Sequence, residues 1–171
     1  MRRTDPHGAT TIVAGARRNG LVYLWLTLVV IVLDQLTKAA VERSLQLYQS
    51  FVVLPVFEIS RLHNTGAAFS FLAAAAGWQR WLFTVLAIIV SAALVTWLRR
   101  IDSESRLLAS AVALILGGAL GNVVDRIRLG YVIDFITVHW GDHFFPSFNV
   151  ADSSITIGAA LLLLDAWLEA R

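Results

Sequence analysis

Gly77 to Leu98 reads GWQRWLFTVLAIIVSAALVTWL, a stretch in which Arg80 is the one charged side chain. As a helix rising 1.5 Å per residue, a segment of this length matches the apolar thickness of a bilayer. Three more apolar segments accompany it, at about 21–41, 107–124 and 150–168. Charged residues make up only 15% of the chain, against roughly 25% in a soluble domain. The chain is therefore expected to be an all-α integral membrane protein with four transmembrane helices, built as one domain over residues 21–171.

The first run, LVYLWLTLVVIVL (Leu21–Leu33), is short enough for a signal-peptide core. DQLTK follows it, where a cleavage region would be small and weakly polar, so an uncleaved first span is expected. Arg99, Arg100 and Arg106 surround the short connection between the second and third spans, which marks that connection as cytoplasmic. Residues 1–20 carry Arg2, Arg3, Arg17 and Arg18 and read as a disordered, basic cytoplasmic tail. Both termini then lie inside, although Arg61, Arg126 and Arg128 fall on the outer side. The two longer connections, 42–76 and 125–149, lie outside. FVVLPVFEISRLHN in the first is β-branched and aromatic, and reads as short strands of a small sheet on the outer membrane surface. The chain has no cysteine, so disulfides, thiolate metal sites and a cysteine nucleophile are excluded. A net charge of +2 gives no nucleic-acid footprint.

Function is sought in polar residues where a membrane disfavours them. Asp34 and Lys38 are four apart, on one helical face. A structural ion pair is the expectation; a Ser-Lys hydrolase would need a serine at a suitable turn, and none stands out. In GGALGNVVDR, Gly117 and Gly121 form a pair of small residues that admits a neighbouring helix. Asn122 needs partners at that depth, and Arg126, four residues on, reads as an interfacial anchor. A turn explains Asn64 in NTGAAF. His139 and His143 have the spacing of zinc ligands in HExxH enzymes, yet Trp140 stands where the glutamate should be and Gly141-Asp142 suggests a turn. The two histidines and Asp142 are expected in a solvated loop, and no metal is expected.

Asp134 and Asp152 differ from these. Asp134 sits in GYVIDF between Ile133 and Phe135; Asp152 sits in FNVADSSITIG at the start of the fourth span. Asp152 alone could cap that helix. Both lie near the outer boundary, and the chain between them can fold back. Two carboxylates sharing a site hold one proton between them, so one can draw a proton from water while the other protonates a leaving group. That chemistry needs no cofactor. A proton-coupled transporter would use the same charges as a relay, but it usually shows internal repeats and charges near the midplane. A membrane scaffold would leave the buried amides and carboxylates without a purpose.

DQLTK (34–38), NTGAAF (64–69), GGALGNVVDR (117–126), GYVIDF (130–135) and FPSFNVADSSI (145–155) occur in this order. Together, over roughly residues 20–168, they resemble the bacterial lipoprotein signal peptidase family, also called signal peptidase II. The resemblance implies an intramembrane aspartyl endopeptidase that cuts diacylglyceryl-modified prolipoproteins just before the lipidated cysteine. It implies Asp134 and Asp152 as the catalytic pair, and Asn64, Asn122, Arg126 and Asn149 as residues lining the site, where they hold substrate or the carboxylates. Asp34 and Lys38 would support the site structurally. The implied fold is four transmembrane helices with a small extracytoplasmic β-cradle and a short peripheral helix. The implied setting is the bacterial inner membrane, with lipid-modified prolipoproteins and membrane lipids as partners. A monomer is expected.

Overall fold

The computed structural model describes residues 3–4, 10–11, 19–66 and 77–171. The rest of the expected basic tail, and the AAF half of NTGAAF, lie outside the described residues. Within the tail, β1 (Arg3–Thr4) pairs antiparallel with β2 (Thr10–Thr11). The tail ends before residue 20. Gly20 is buried and donates its N–H to the Ile101 carbonyl at 2.8 Å, while Asn19 bridges Asp102. The chain thus docks on the connection between the second and third spans before its first helix begins.

Among the described residues, four helices are long and apolar enough to cross a membrane. They are α1 (Leu24–Ser44), entered through a 3-10 turn at Gly20–Tyr23, α2 (Trp78–Leu98), α3 (Arg106–Arg128) and α4 (Val150–Glu169). Among the described residues that 3-10 turn is the one short helix, and it is continuous with α1 rather than peripheral. The bounds agree with the expected spans except in α3, which continues past Val124 through Asp125, Arg126 and Arg128.

α3 is the centre of the bundle: 56% of its most apolar window is buried, against 17–22% for the other three helices. Its small residues explain this. Ala109, Ala111 and Ala113 are fully buried, and a Cβ on Gly118 would fall on the Ala151 carbonyl oxygen of α4. Toward α1 the contacts climb by fours on both helices. Gly117 faces Val30, Gly121 faces Asp34, and Asp125 faces Lys38. Two helices running in the same sense meet along this stripe, and the absent side chains of the two glycines make room for the charged pairs above them. Exposed Leu28, Ile89 and Leu163 cover the outer surfaces of α1, α2 and α4, as lipid requires.

The small sheet sits at one end of this bundle. Its strands are β3 (Ser50–Leu54), β4 (Phe57–Asn64), β5 (Val132–Trp140) and β6 (His143–Phe144), antiparallel in the order β3-β4-β5-β6. Arg61 on β4 joins sheet to bundle. Its guanidinium donates to the carbonyls of Glu42 and Leu45 at 3.2 and 3.1 Å, satisfying the free C-terminal end of α1. The solvated loop expected at 139–143 is corrected here: His139 lies on β5, His143 on β6, and Gly141 turns between them at φ +57°. His139 is half-buried, stacks on Phe144 at 4.9 Å and reaches Glu58 at 3.5 Å, whereas Asp142 and His143 are exposed as expected.

Candidate active site

The site is built around Lys38. An ammonium has three hydrogens to donate and no acceptor. Lys38, 2% exposed, directs them to Asp34 Oδ2 at 2.8 Å, Asp125 Oδ2 at 2.7 Å and Asn122 Oδ1 at 3.0 Å. Each partner passes the constraint on. Asp34 Oδ1 accepts from the Ala151 N–H of α4 at 3.0 Å, and Asp125 Oδ2 accepts from the Ile133 N–H of β5 at 3.3 Å. Gln35 clasps the same cluster, donating to Asp125 Oδ1 at 2.8 Å.

Lys38 also settles which way the Asn122 amide points. Its carbonyl oxygen must face the ammonium, so its NH2 faces the other way and donates to Asp152 Oδ1 at 2.8 Å. Asn149 completes the arrangement from the start of α4. Its Oδ1 accepts from the Asp152 N–H at 2.9 Å, and Asp152 Oδ2 accepts from the Asn149 N–H at 3.3 Å, a reciprocal cap on the helix. The Asn149 NH2 donates to Asp134 Oδ1 at 2.7 Å and to Asn122 Oδ1 at 3.3 Å. Asn64, on β4, donates to Asp134 Oδ2 at 2.9 Å. Asp134 and Asp152 are therefore each held at both oxygens, from three segments of chain, through one linked set of amides.

Both carboxylates line a single cavity of about 810 Å3, together with Asn64, Asn122 and Arg126. Arg126 lies over the Phe83 ring at 5.6 Å and donates to the Asn122 and Gly66 carbonyls at 3.4 and 3.5 Å. Apolar side chains line much of the remainder, from Leu62 and Val132 on the sheet, Phe145 and Phe148 on the loop before α4, and Ile155 and Ile157 on α4, with the hydroxyls of Ser147, Ser153 and Thr156 among them. Asp134 is 4% exposed. Burial pushes its carboxyl up to about 6, against the hydrogen bond from Asn64; the charge of Asp152 pushes it further, and Asn149 and Lys38 oppose. A carboxyl in that range takes up and gives back a proton near neutral pH.

Each residue expected at the site thus falls in one connected network, with Asp34 and Lys38 supporting it from behind. Asp125 and Gln35 are additions that sequence reasoning missed. By charge Asp125 reads as part of the outer connection, yet it continues the stripe Gly117–Gly121 by four residues toward Lys38, and that spacing is the signal the sequence carries. His63 also lines the cavity, stacked on Tyr131 at 3.7 Å, with its imidazole pushed down by burial and by Arg61.

Fold and site together define a four-span membrane protein with paired carboxylates in a cavity at one end of its bundle. A sequence model of the signal peptidase (SPase) II family matches residues 26–168, and the chain belongs to that family. The lipoprotein signal peptidase of Pseudomonas putida is 56% identical over 154 residues, covering 89% of this chain and 90% of that protein. The lipoprotein signal peptidase of Pseudomonas aeruginosa is 56% identical over 147 residues, covering 85% and 87%. Two solved structures, each described as a bacterial membrane enzyme, share the fold. One superposes with a TM-score of 0.80 at 29% identity, covering 92% of this chain and 95% of that one. The other gives 0.73 at 33% identity, covering 84% and 90%.

Proposed function

We propose that this protein is an aspartic endopeptidase of the membrane that removes signal peptides from diacylglyceryl-modified prolipoproteins, cutting just before the lipidated cysteine. Family membership and the names of the Pseudomonas relatives support signal-peptide removal from prolipoproteins. The observation that carries the aspartic reading is the common cavity of Asp134 and Asp152, each held at both oxygens by amide groups.

In this reading a water attacks the scissile carbonyl while the ionised carboxylate of the pair accepts its proton. The protonated partner hydrogen-bonds the carbonyl oxygen as it becomes tetrahedral. The C–N bond then breaks as a proton passes to the leaving amine, which restores the pair to one shared proton. Asp134, with its carboxyl raised toward neutrality, is suited to supply the proton that the pair shares. Asn64, Asn122 and Asn149 hold the pair in register, and Arg126 offers a cation to the substrate's polar groups. The apolar walls suit acyl chains. The basic cytoplasmic arginines favour both termini inside and the cavity at the outer face of the inner membrane.

The test is a gel-shift assay with a diacylglyceryl-modified precursor, run beside its unlipidated form. Asp134→Asn and Asp152→Asn should each abolish cleavage while leaving the protein folded. Near-full turnover by either variant would remove that residue from the pair.

A further inference from the structure

Three hydroxyls form a chain that the dyad mechanism does not use. Ser60 on β4 lies 2.6 Å from Thr137 on β5, and Thr137 lies 2.7 Å from Ser147, in the loop before α4. Ser60 and Thr137 are each 6% exposed, whereas Ser147 is half-buried and lines the cavity. The middle hydroxyl has one hydrogen, so it donates to one neighbour and accepts from the other. Two directions are open. If Ser147 donates inward, the chain ends on a Ser60 hydrogen that is buried and has no other acceptor among the described residues. If Ser60 donates outward, the hydrogens of Ser60 and Thr137 are both used, and the last one, on Ser147, is left free for an acceptor in the cavity that this residue lines. A hydroxyl has two lone pairs but one hydrogen, and an unmet buried donor is rarer than an unused lone pair, so the outward direction is favoured. Its hydrogen bonds also polarise one another along the chain.

We propose that Ser147 is a specificity-determining residue that donates a hydrogen bond to a carbonyl oxygen of the substrate, aimed by Thr137 and Ser60. This rests on the peptidase reading above and names one contact its substrate makes. The loop is fixed enough to aim it: Phe148 N–H donates to Ile136 O at 3.0 Å, and Phe148 O accepts from Ile136 N–H at 2.8 Å. Two sources of carbonyl reach this cavity, the acyl esters of the diacylglyceryl group and the peptide backbone beside the cysteine.

The experiment uses the full-length protein in detergent and two lipidated precursors, one carrying the diacylglyceryl group and one its dialkyl-ether counterpart, which lacks the ester carbonyls. Ser147→Ala should lower kcat/KM on the diacyl precursor by about 3- to 10-fold, the range of one neutral hydrogen bond. Thr137→Val should do the same through lost aim, and Thr137→Ser should restore it. If the Ser147→Ala loss disappears on the ether precursor, the acceptor is an ester carbonyl; if it persists, the acceptor is a peptide carbonyl. Unchanged kcat/KM for Ser147→Ala on both precursors overturns the proposal. So does a loss of thermal stability in Thr137→Val with unchanged kinetics, which would make the chain a loop fastener only. Asp134→Asn is run alongside, and its activity would instead overturn the dyad reading.

Discussion

Lys38 on α1 meets Asp125 on α3 at 2.7 Å, and both side chains are only 2% exposed. The same ammonium holds Asp34 at 2.8 Å, so two buried carboxylates depend on one cation. Removing one partner of a buried ion pair typically costs about 3–5 kcal/mol, because the other charge stays behind. Lys38→Met should therefore destabilise the protein by about that amount, read as a lowered unfolding temperature in detergent. A variant as stable as the parent would mean that the cluster does not hold α1 to α3.

The pH dependence has a definite sign. Asp134 is raised to about 6, and it is its protonated form that the proposed step uses. kcat/KM should then fall as pH rises through about 6. The Asn64 hydrogen bond favours the ionised carboxylate, so removing it raises this pKa further. Asn64→Ala should move the falling limb to higher pH, whatever it does to the maximum rate. A limb displaced to lower pH in a pH–rate profile would contradict the assignment of the proton to Asp134.

How much of this could be read in advance depended on the kind of signal. Apolar runs fixed three of the spans within a few residues because a bilayer demands about 20 apolar residues and tolerates little else. The expected third span stops at Val124 because Asp125 and Arg128 look like loop by charge. In the fold those charges are answered by side chains on other segments: Asp125 by Lys38 and Gln35, Arg128 by Gln35 at 3.2 Å. Local composition does not register such partners. β5 escaped for a related reason. Val132 to Phe135 are all buried, packed on both faces, so the strand lacks the alternation that marks a half-exposed one. The carboxylate pair was legible because two acids in apolar surroundings demand a reason. Of the amides that hold it, Asn122 stands out by its depth in a span, whereas Asn64 and Asn149 are reachable only by motif, since Asn64 by itself reads as a turn.

The approach of α3 to α4 gives a packing prediction. A Cβ on Gly118 would fall on the Ala151 carbonyl, with Ile155 and Ser154 side-chain atoms 2.7 Å away. Ala151 directly precedes Asp152. Gly118→Ala should cost about 1–3 kcal/mol through overpacking and reduce turnover by displacing Asp152. Gly141 is the contrast. It has φ +57° and nothing within 4 Å of its missing Cβ, and asparagine tolerates that conformation. Gly141→Asn should stay within about 0.5 kcal/mol of the parent in thermal unfolding and keep its activity.

Asn149 does two jobs, and one substitution separates them. As the N-cap of α4 it needs only an acceptor, which serine supplies about as well as asparagine. As a support of the pair it needs the NH2 that reaches Asp134 at 2.7 Å, which serine lacks. Asn149→Ser should therefore unfold at a higher temperature than Asn149→Ala, by the roughly 1 kcal/mol of a helix cap. Both variants should lose turnover to the same degree, because neither presents the amide donor to Asp134. Both should also shift the falling limb of the pH profile upward, since a donor that favours the carboxylate has gone. Unfolding curves and gel-shift kinetics on the two variants decide it. If Asn149→Ser cleaves at the parent rate, the cap is all that Asn149 contributes, and Asp134 is held by Asn64 alone.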